Sequence, residues 1–206
     1  MCGGRGTRLD SQYEKPLYPI DGVEMVDRVC QALEQSRIET IYAAASQNAP
    51  ETRAHLENDA SLTTIETPGD GYVSDLLTLL ERPEISTPVL TVAADLPTLE
   101  AASIDRTLER HAGRDASRTV CVPVSLKRRL GVSVDSRLDS CDHLAPTGVN
   151  VVGDTATDQT MTDIHYDPRL AINVNRREDV QVATCFLSTD EPNPDTPDTA
   201  GASEGH

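Results

Sequence analysis

At 206 residues the chain is long enough for one domain with a real core and short for two. Thirty-four acidic residues against eighteen basic ones give a formal charge of −16, which argues against a nucleic-acid surface, because phosphate backbones demand clustered Lys and Arg. No stretch approaches the roughly 18 apolar residues of a membrane span and no charged-then-apolar leader is visible, so a soluble, cytoplasmic protein is expected.

The chain opens on a glycine-arginine loop, Gly3-Gly4-Arg5-Gly6-Thr7-Arg8. Val26, Val29, Cys30 and Leu33 then recur at helical spacing, and IETIYAAAS reads as a strand. ETRAHLEND predicts a short helix, LTTIE a strand, VSDLLTLLE a helix, and PVLTVAAD a near-continuous apolar strand of the kind buried on both faces. EAASIDRTLERHA predicts a helix, RTVCVPVS, TGVNVVG and RLAINV three further strands, and NRREDVQVATCFL a closing helix. Between Lys127 and Pro146 no period is sustained, which suggests an irregular excursion or a pair of edge strands. From Ser188 the chain is acidic and proline-rich with no apolar cluster, so the expected division is a domain over 1–187 and a disordered tail over 188–206. Strands alternating with helices predict a three-layer α/β fold around a mostly parallel sheet, with ligands beyond the carboxyl ends of the strands.

Glycines in the opening loop let backbone N–H groups approach a polyphosphate, and the arginines supply fork-shaped donors for its oxygens. The loop is not the G-x-x-x-x-G-K-[ST] phosphate loop of kinases, and by itself it reads better as a flexible N-terminal turn. Glu14-Lys15-Pro16-Leu17 follows at short range. Only two of the eighteen bases are lysine, Lys15 and Lys127; a compact ammonium at Lys15 suits a point charge on phosphates. An acidic, lysine-poor, aromatic-poor composition is also that of proteins that stay soluble in concentrated salt, and a halophilic source is expected. The five cysteines never fall two or four apart and the histidines are scattered, so neither a disulfide framework nor a zinc site is signalled.

Gly-Gly-x-Gly-Thr-Arg followed by Glu-Lys-Pro resembles the signature of Rossmann-like, MobA-like nucleotidyltransferases. Ser46-Gln47-Asn48-Ala49-Pro50-Glu51-Thr52, Glu66-Thr67-Pro68-Gly69-Asp70-Gly71-Tyr72-Val73-Ser74-Asp75-Leu76, Ala94-Asp95-Leu96, Pro146-Thr147-Gly148-Val149-Asn150 and Asn173-Val174-Asn175 follow, in the order seen in archaeal GTP:adenosylcobinamide-phosphate guanylyltransferases. The likeness runs from Cys2 to about Cys185. It implies transfer of GMP from GTP to a phosphorylated corrinoid in cobalamin biosynthesis, with pyrophosphate released. A second copy of the chain is admitted as a partner.

The resemblance also assigns roles. Gly3, Gly4, Arg5, Gly6, Thr7 and Arg8 would hold the triphosphate, Arg8 and Lys15 acting in catalysis. Asp95, at the end of an apolar strand, would hold Mg²⁺ together with Asn175, although an Asn there also suits a helix cap. Ser46, Asn48, Thr52, Gly69, Gly71 and Asp75 would surround the nucleoside, Tyr72 would stack on a ring or fill core space, and Gly148 and Asn150 would face the acceptor. A sister enzyme acting on molybdopterin or a sugar phosphate, and a non-catalytic nucleotide-binding regulator, remain open. A phosphate loop in this fold hangs from a buried first strand, of which Met1-Cys2 fits only the end. An upstream apolar strand is therefore expected, and its absence would leave an open slot in the core.

Overall fold

The apolar positions that recur at helical spacing become the buried face of α1 (Met25–Glu34), where Met25, Val26, Val29, Cys30 and Ala32 point inward. The structure, a computed structural model, describes residues 1–2, 9, 12–112, 114–154 and 160–190. Ahead of α1 a small antiparallel hairpin joins β1 (Pro19–Ile20) to β2 (Val23–Glu24). Asp21 and Gly22 turn it, both at positive φ (53° and 76°), as a two-residue hairpin loop requires.

β3 (Tyr42–Ser46), α2 (Pro50–Glu57), β4 (Thr63–Thr67) and α3 (Tyr72–Leu80) follow in alternation. β3 and β4 pair in parallel with Ala44 opposite Ile65. The two-residue period of β3 sends Ala43 and Ala45 to Val26, Cys30 and Leu56, and Ala44 to Ile65 and Leu79. One face is thus covered by α1 and α2 and the other by α3, the layering expected of an α/β sandwich.

The second half contributes β5 (Val89–Val92), α4 (Ala101–His111), β6 (Ser117–Pro123), α5 (Val124–Leu130), β7 (Leu144–Val152), β8 (Thr160–Ile164) and α6 (Arg177–Asp190). Their strand order is β5-β7-β6-β8. β7 is antiparallel to both neighbours and β8 parallel to β6, so this sheet is mixed, with β7 the one strand that runs against its companions. Val29, Leu96, Ile104, Val120, Val122 and Val149 share the main core.

Met1 and Cys2 join the two sheets. The Cys2 amide donates to Ala44 O (2.8 Å), the Met1 amino group to Val92 O (3.0 Å), and the Ala94 amide to Met1 O (3.3 Å). They thus sit between β3 and β5, parallel to Ala45 of β3. Beside Met1 and Cys2 lies an apolar cavity of about 330 Å³ between β3 and β5, walled by Val29, Leu33, Leu76 and Leu79.

Three sequence expectations are corrected. RLAINV is not a strand: Pro168 sets a 3-10 turn, Pro168–Leu170, and the Asp167 carboxylate accepts from the Arg169 amide. Residues 170–174 are buried, but the Ala171 carbonyl accepts from the Lys127 ammonium and the Val174 amide donates to Asp95 O in place of a ladder. The stretch from Lys127 begins instead in α5, which Gly131 ends in a left-handed cap (φ 78°). The closing helix runs on to Asp190, so Ser188 and Thr189 belong to it; residues 191–206 lie outside the described residues. Among the described residues no helix is long and apolar enough to cross a membrane.

Candidate active site

Glu14 anchors the site from behind. Its carboxylate accepts from the Glu51 amide (3.0 Å), the Thr52 amide (2.7 Å) and the Thr52 hydroxyl (2.6 Å), capping the start of α2. Thr52 is accordingly fully buried and serves this cap, not a nucleoside. With Glu14 fixed, Lys15 opens a 3-10 turn over Lys15–Leu17 and sends its ammonium to Asp95 Oδ2 and Asn175 Oδ1, each at 2.6 Å. Lys15 and Asp95 are largely but not wholly covered, at 16% and 19% side-chain exposure. Three residues far apart in sequence meet there.

Asp95 lies beyond the carboxyl end of β5, in the position where α/β sheets bind ligands. Its other oxygen, Oδ1, accepts from Asn173 Nδ2 (3.1 Å). That amide group also donates to Thr147 O (2.8 Å), and Asn173 Oδ1 accepts from Lys127 Nζ (2.9 Å). Burial holds the Lys127 ammonium below its ordinary range, against the opposing pull of Asp179, Asp95 and Asp135. Asn175 does not cap α6. The fully buried Asp179 does so, accepting from the Asn175 amide (3.0 Å), the Arg176 amide (2.9 Å) and the Ser133 amide (2.7 Å), which frees the Asn175 carboxamide to face Lys15.

Ser46, Asn48, Gly69 and Asp75 form one bracket at the ends of β3 and β4. Asn48 Nδ2 donates to Gly69 O (3.3 Å), the Asn48 amide to Ser46 Oγ (3.3 Å) and the Gly69 amide to Asp75 Oδ1 (2.9 Å). Gly69 has φ 80°, and a Cβ there would lie 2.4 Å from Asn48 Nδ2, so glycine is required. Gly71 and Tyr72 start α3. The Tyr72 hydroxyl bonds Thr91 Oγ1 (2.7 Å) and accepts from Asn150 Nδ2 (3.1 Å), so Tyr72 is held as a polar post and Asn150 has the partner that a strand Asn needs. Gly148, at φ 89°, would place a Cβ 2.8 Å from Ala93 Cβ, and its carbonyl accepts from the Ala93 amide (3.0 Å).

Two cavities flank Tyr72 and Asp95. One, about 300 Å³, is lined by Lys15, Gly71, Tyr72, Asp75 and Asp95; the other, about 460 Å³, by Tyr72, Asp95, Lys127, Asp135, Gly148 and Asn150. They share Tyr72, Ala93 and Asp95. Gly3, Gly4, Arg5, Gly6, Thr7 and Arg8 lie outside the described residues.

Among the described residues no three His, Cys, Asp or Glu converge on a metal. Asp95 Oδ2 and Asn175 Oδ1 do converge on a cation, the Lys15 ammonium. Two hard oxygens with room beside them suit Mg²⁺, which keeps few protein ligands and fills its shell with water and substrate phosphates. Sequence reasoning missed Glu14, Asn173, Asp179 and Lys127; lysine scarcity, which singled out Lys15, points equally to Lys127.

The MobA-like NTP transferase domain matches residues 1–151. Adenosylcobinamide-phosphate guanylyltransferase of Methanocaldococcus jannaschii is 28% identical over 198 residues, covering 92% of this chain and 96% of that protein. The bifunctional protein GlmU of Enterococcus faecalis is 30% identical over 122 residues, 58% of this chain but 26% of that one. Among solved structures, a putative glucose-1-phosphate thymidylyltransferase of Bacillus anthracis superposes with a TM-score of 0.65 at 14% identity over 93% of this chain and 94% of that one, which speaks for the fold. A strand-end aspartate facing a lysine at the junction of two cavities, on this fold and with this family match, makes the chain a nucleotidyltransferase enzyme that belongs to the MobA-like NTP transferase family.

Proposed function

We propose that the chain transfers GMP from GTP to adenosylcobinamide phosphate, giving adenosylcobinamide-GDP and pyrophosphate. The observation that carries this reading is the likeness to the Methanocaldococcus jannaschii guanylyltransferase over nearly the whole of both chains. Two cavities that meet at Asp95 and Tyr72 suit a reaction with two bulky substrates.

In this reading GTP occupies the cavity beside Lys15, Gly71 and Asp75, with residues 3–8 around its phosphates, and the corrinoid phosphate enters beside Gly148 and Asn150. An oxygen of the acceptor phosphate attacks the α-phosphorus of GTP. One P–O bond forms, the bond to the β-phosphate oxygen breaks, and the electron pair leaves on pyrophosphate. Lys15 moves from Asp95 to the phosphates and neutralises charge that builds between the α-phosphate and the leaving group. Asp95 and Asn175 would hold Mg²⁺, which when bound would supply charge neutralisation at the phosphate oxygens. No covalent enzyme intermediate is needed, since alignment and electrostatics are what phosphoryl chemistry demands.

The test is pyrophosphate release with each NTP and each candidate acceptor. Release with GTP and adenosylcobinamide phosphate is expected. Release with a molybdopterin or sugar phosphate instead would reassign the acceptor, and GTP binding without release under any pairing would make the chain a regulator. Purified chain should also fail to phosphorylate cobinamide from ATP or GTP, and success would contradict the reading.

A further inference from the structure

Lys127 is one of two lysines in the chain and is 4% exposed. No carboxylate pairs with it directly among the described residues: its ammonium donates to Ala171 O (2.8 Å) and Asn173 Oδ1 (2.9 Å). A buried ammonium costs free energy that an apolar side chain of similar length would avoid. What it does to Asn173 supplies a reason for it. An ammonium is a donor only, so it draws the amide oxygen of Asn173 toward itself and forces the NH₂ group to the other side. That NH₂ group then has two acceptors, Thr147 O and Asp95 Oδ1. Every hydrogen-bonding position of the Asn173 NH₂ is used and the amide cannot turn without facing its oxygen to a carboxylate.

We propose that Lys127 and Asn173 are positioning residues for Asp95: Lys127 fixes the orientation of the Asn173 amide, and Asn173 holds Oδ1 of Asp95 so that Oδ2 is presented toward Lys15 and Asn175. Both lysines of the chain thus act on one carboxylate, Lys15 directly and Lys127 through an amide. This role rests on Asp95 serving the metal-bound nucleotide, as proposed above. Lys127 also lines the larger cavity, so the alternative to be tested against is direct contact with the acceptor.

The experiment is GTP binding by calorimetry, with excess Mg²⁺ and again with EDTA, on wild type, Lys127→Met, Asn173→Ser and the double variant. Wild type should bind GTP more tightly with Mg²⁺. Each single variant should lose about tenfold of that gain while its affinity in EDTA is unchanged, as removal of a partner behind a metal ligand commonly does. The double variant should lose no more than the worse single one, because both act along one path. Singles that keep the full gain, losses that multiply in the double variant, or an equal loss in EDTA would each overturn the positioning role, and so would a rise in acceptor KM with the Mg²⁺ gain intact. If Lys127→Met does not fold, Asn173→Ser decides the matter by the same readout. A wild-type protein indifferent to Mg²⁺ would overturn the proposed function itself, a result distinct from responsive wild type with unaltered variants, which sinks the positioning role alone.

Discussion

Lys15 and Asp95 form an ion pair at 2.6 Å across 80 positions of sequence, and neither is needed to fill the core. Lys15→Ala and Asp95→Ala should each lower turnover on the order of 100-fold or more, because each removes charge placed for the transition state, while the melting temperature changes little. If Asp95→Ala kept wild-type turnover across a Mg²⁺ titration, its metal role would be withdrawn. His111 makes a separate claim. It is 6% exposed, neither ring nitrogen has a partner among the described residues, and burial together with Arg118 and Arg114 lowers its pKa from the ordinary 6.5. The folded state therefore binds a proton less readily than the unfolded one, so stability is full above about pH 6.5 and is lost as pH falls through the folded value. His111→Phe should melt above wild type at pH 5 and narrow that advantage at pH 8; an equal difference at both pH values would contradict this. The Lys15–Asp95 pair was legible because Lys15 stands out in a lysine-poor chain and Asp95 ends an apolar run. Asp179 and Glu14 were not, since a carboxylate that accepts from backbone amides far away along the chain leaves no pattern in sequence.

The alternation of strands and helices could be read because buried strands are short apolar runs and their covering helices carry a clear apolar stripe. β8 escaped because it is an edge strand with Asp163 as its one buried side chain, and RLAINV misled because burial without a ladder looks the same in sequence as a strand. The apolar cavity between β3 and β5 makes one prediction. Cys30, on the wall of this cavity, has its thiol pushed up to about 12, chiefly by burial. Alkylation at pH 8 should therefore mark the exposed Cys185 well before Cys30, and reaction at equal rates would mean that the cavity opens to solvent.

A charge of −16 on 206 residues repels itself, and molar salt screens that repulsion to within about 3 Å. We propose that the protein is adapted to concentrated salt: its melting temperature should climb as KCl is raised to molar levels, and a flat response would refute the adaptation. The same salt bears on the proposed reaction, because two phosphate-bearing substrates would have to approach a molecule of strongly negative net charge. The direct test is a pyrophosphate-release assay in molar KCl with Mg²⁺, GTP and adenosylcobinamide phosphate. Release is expected with GTP in preference to the other nucleoside triphosphates, requiring both substrates, and lost in Lys15→Ala. Release that is indifferent to the corrinoid, or that persists undiminished without Lys15, would contradict the account.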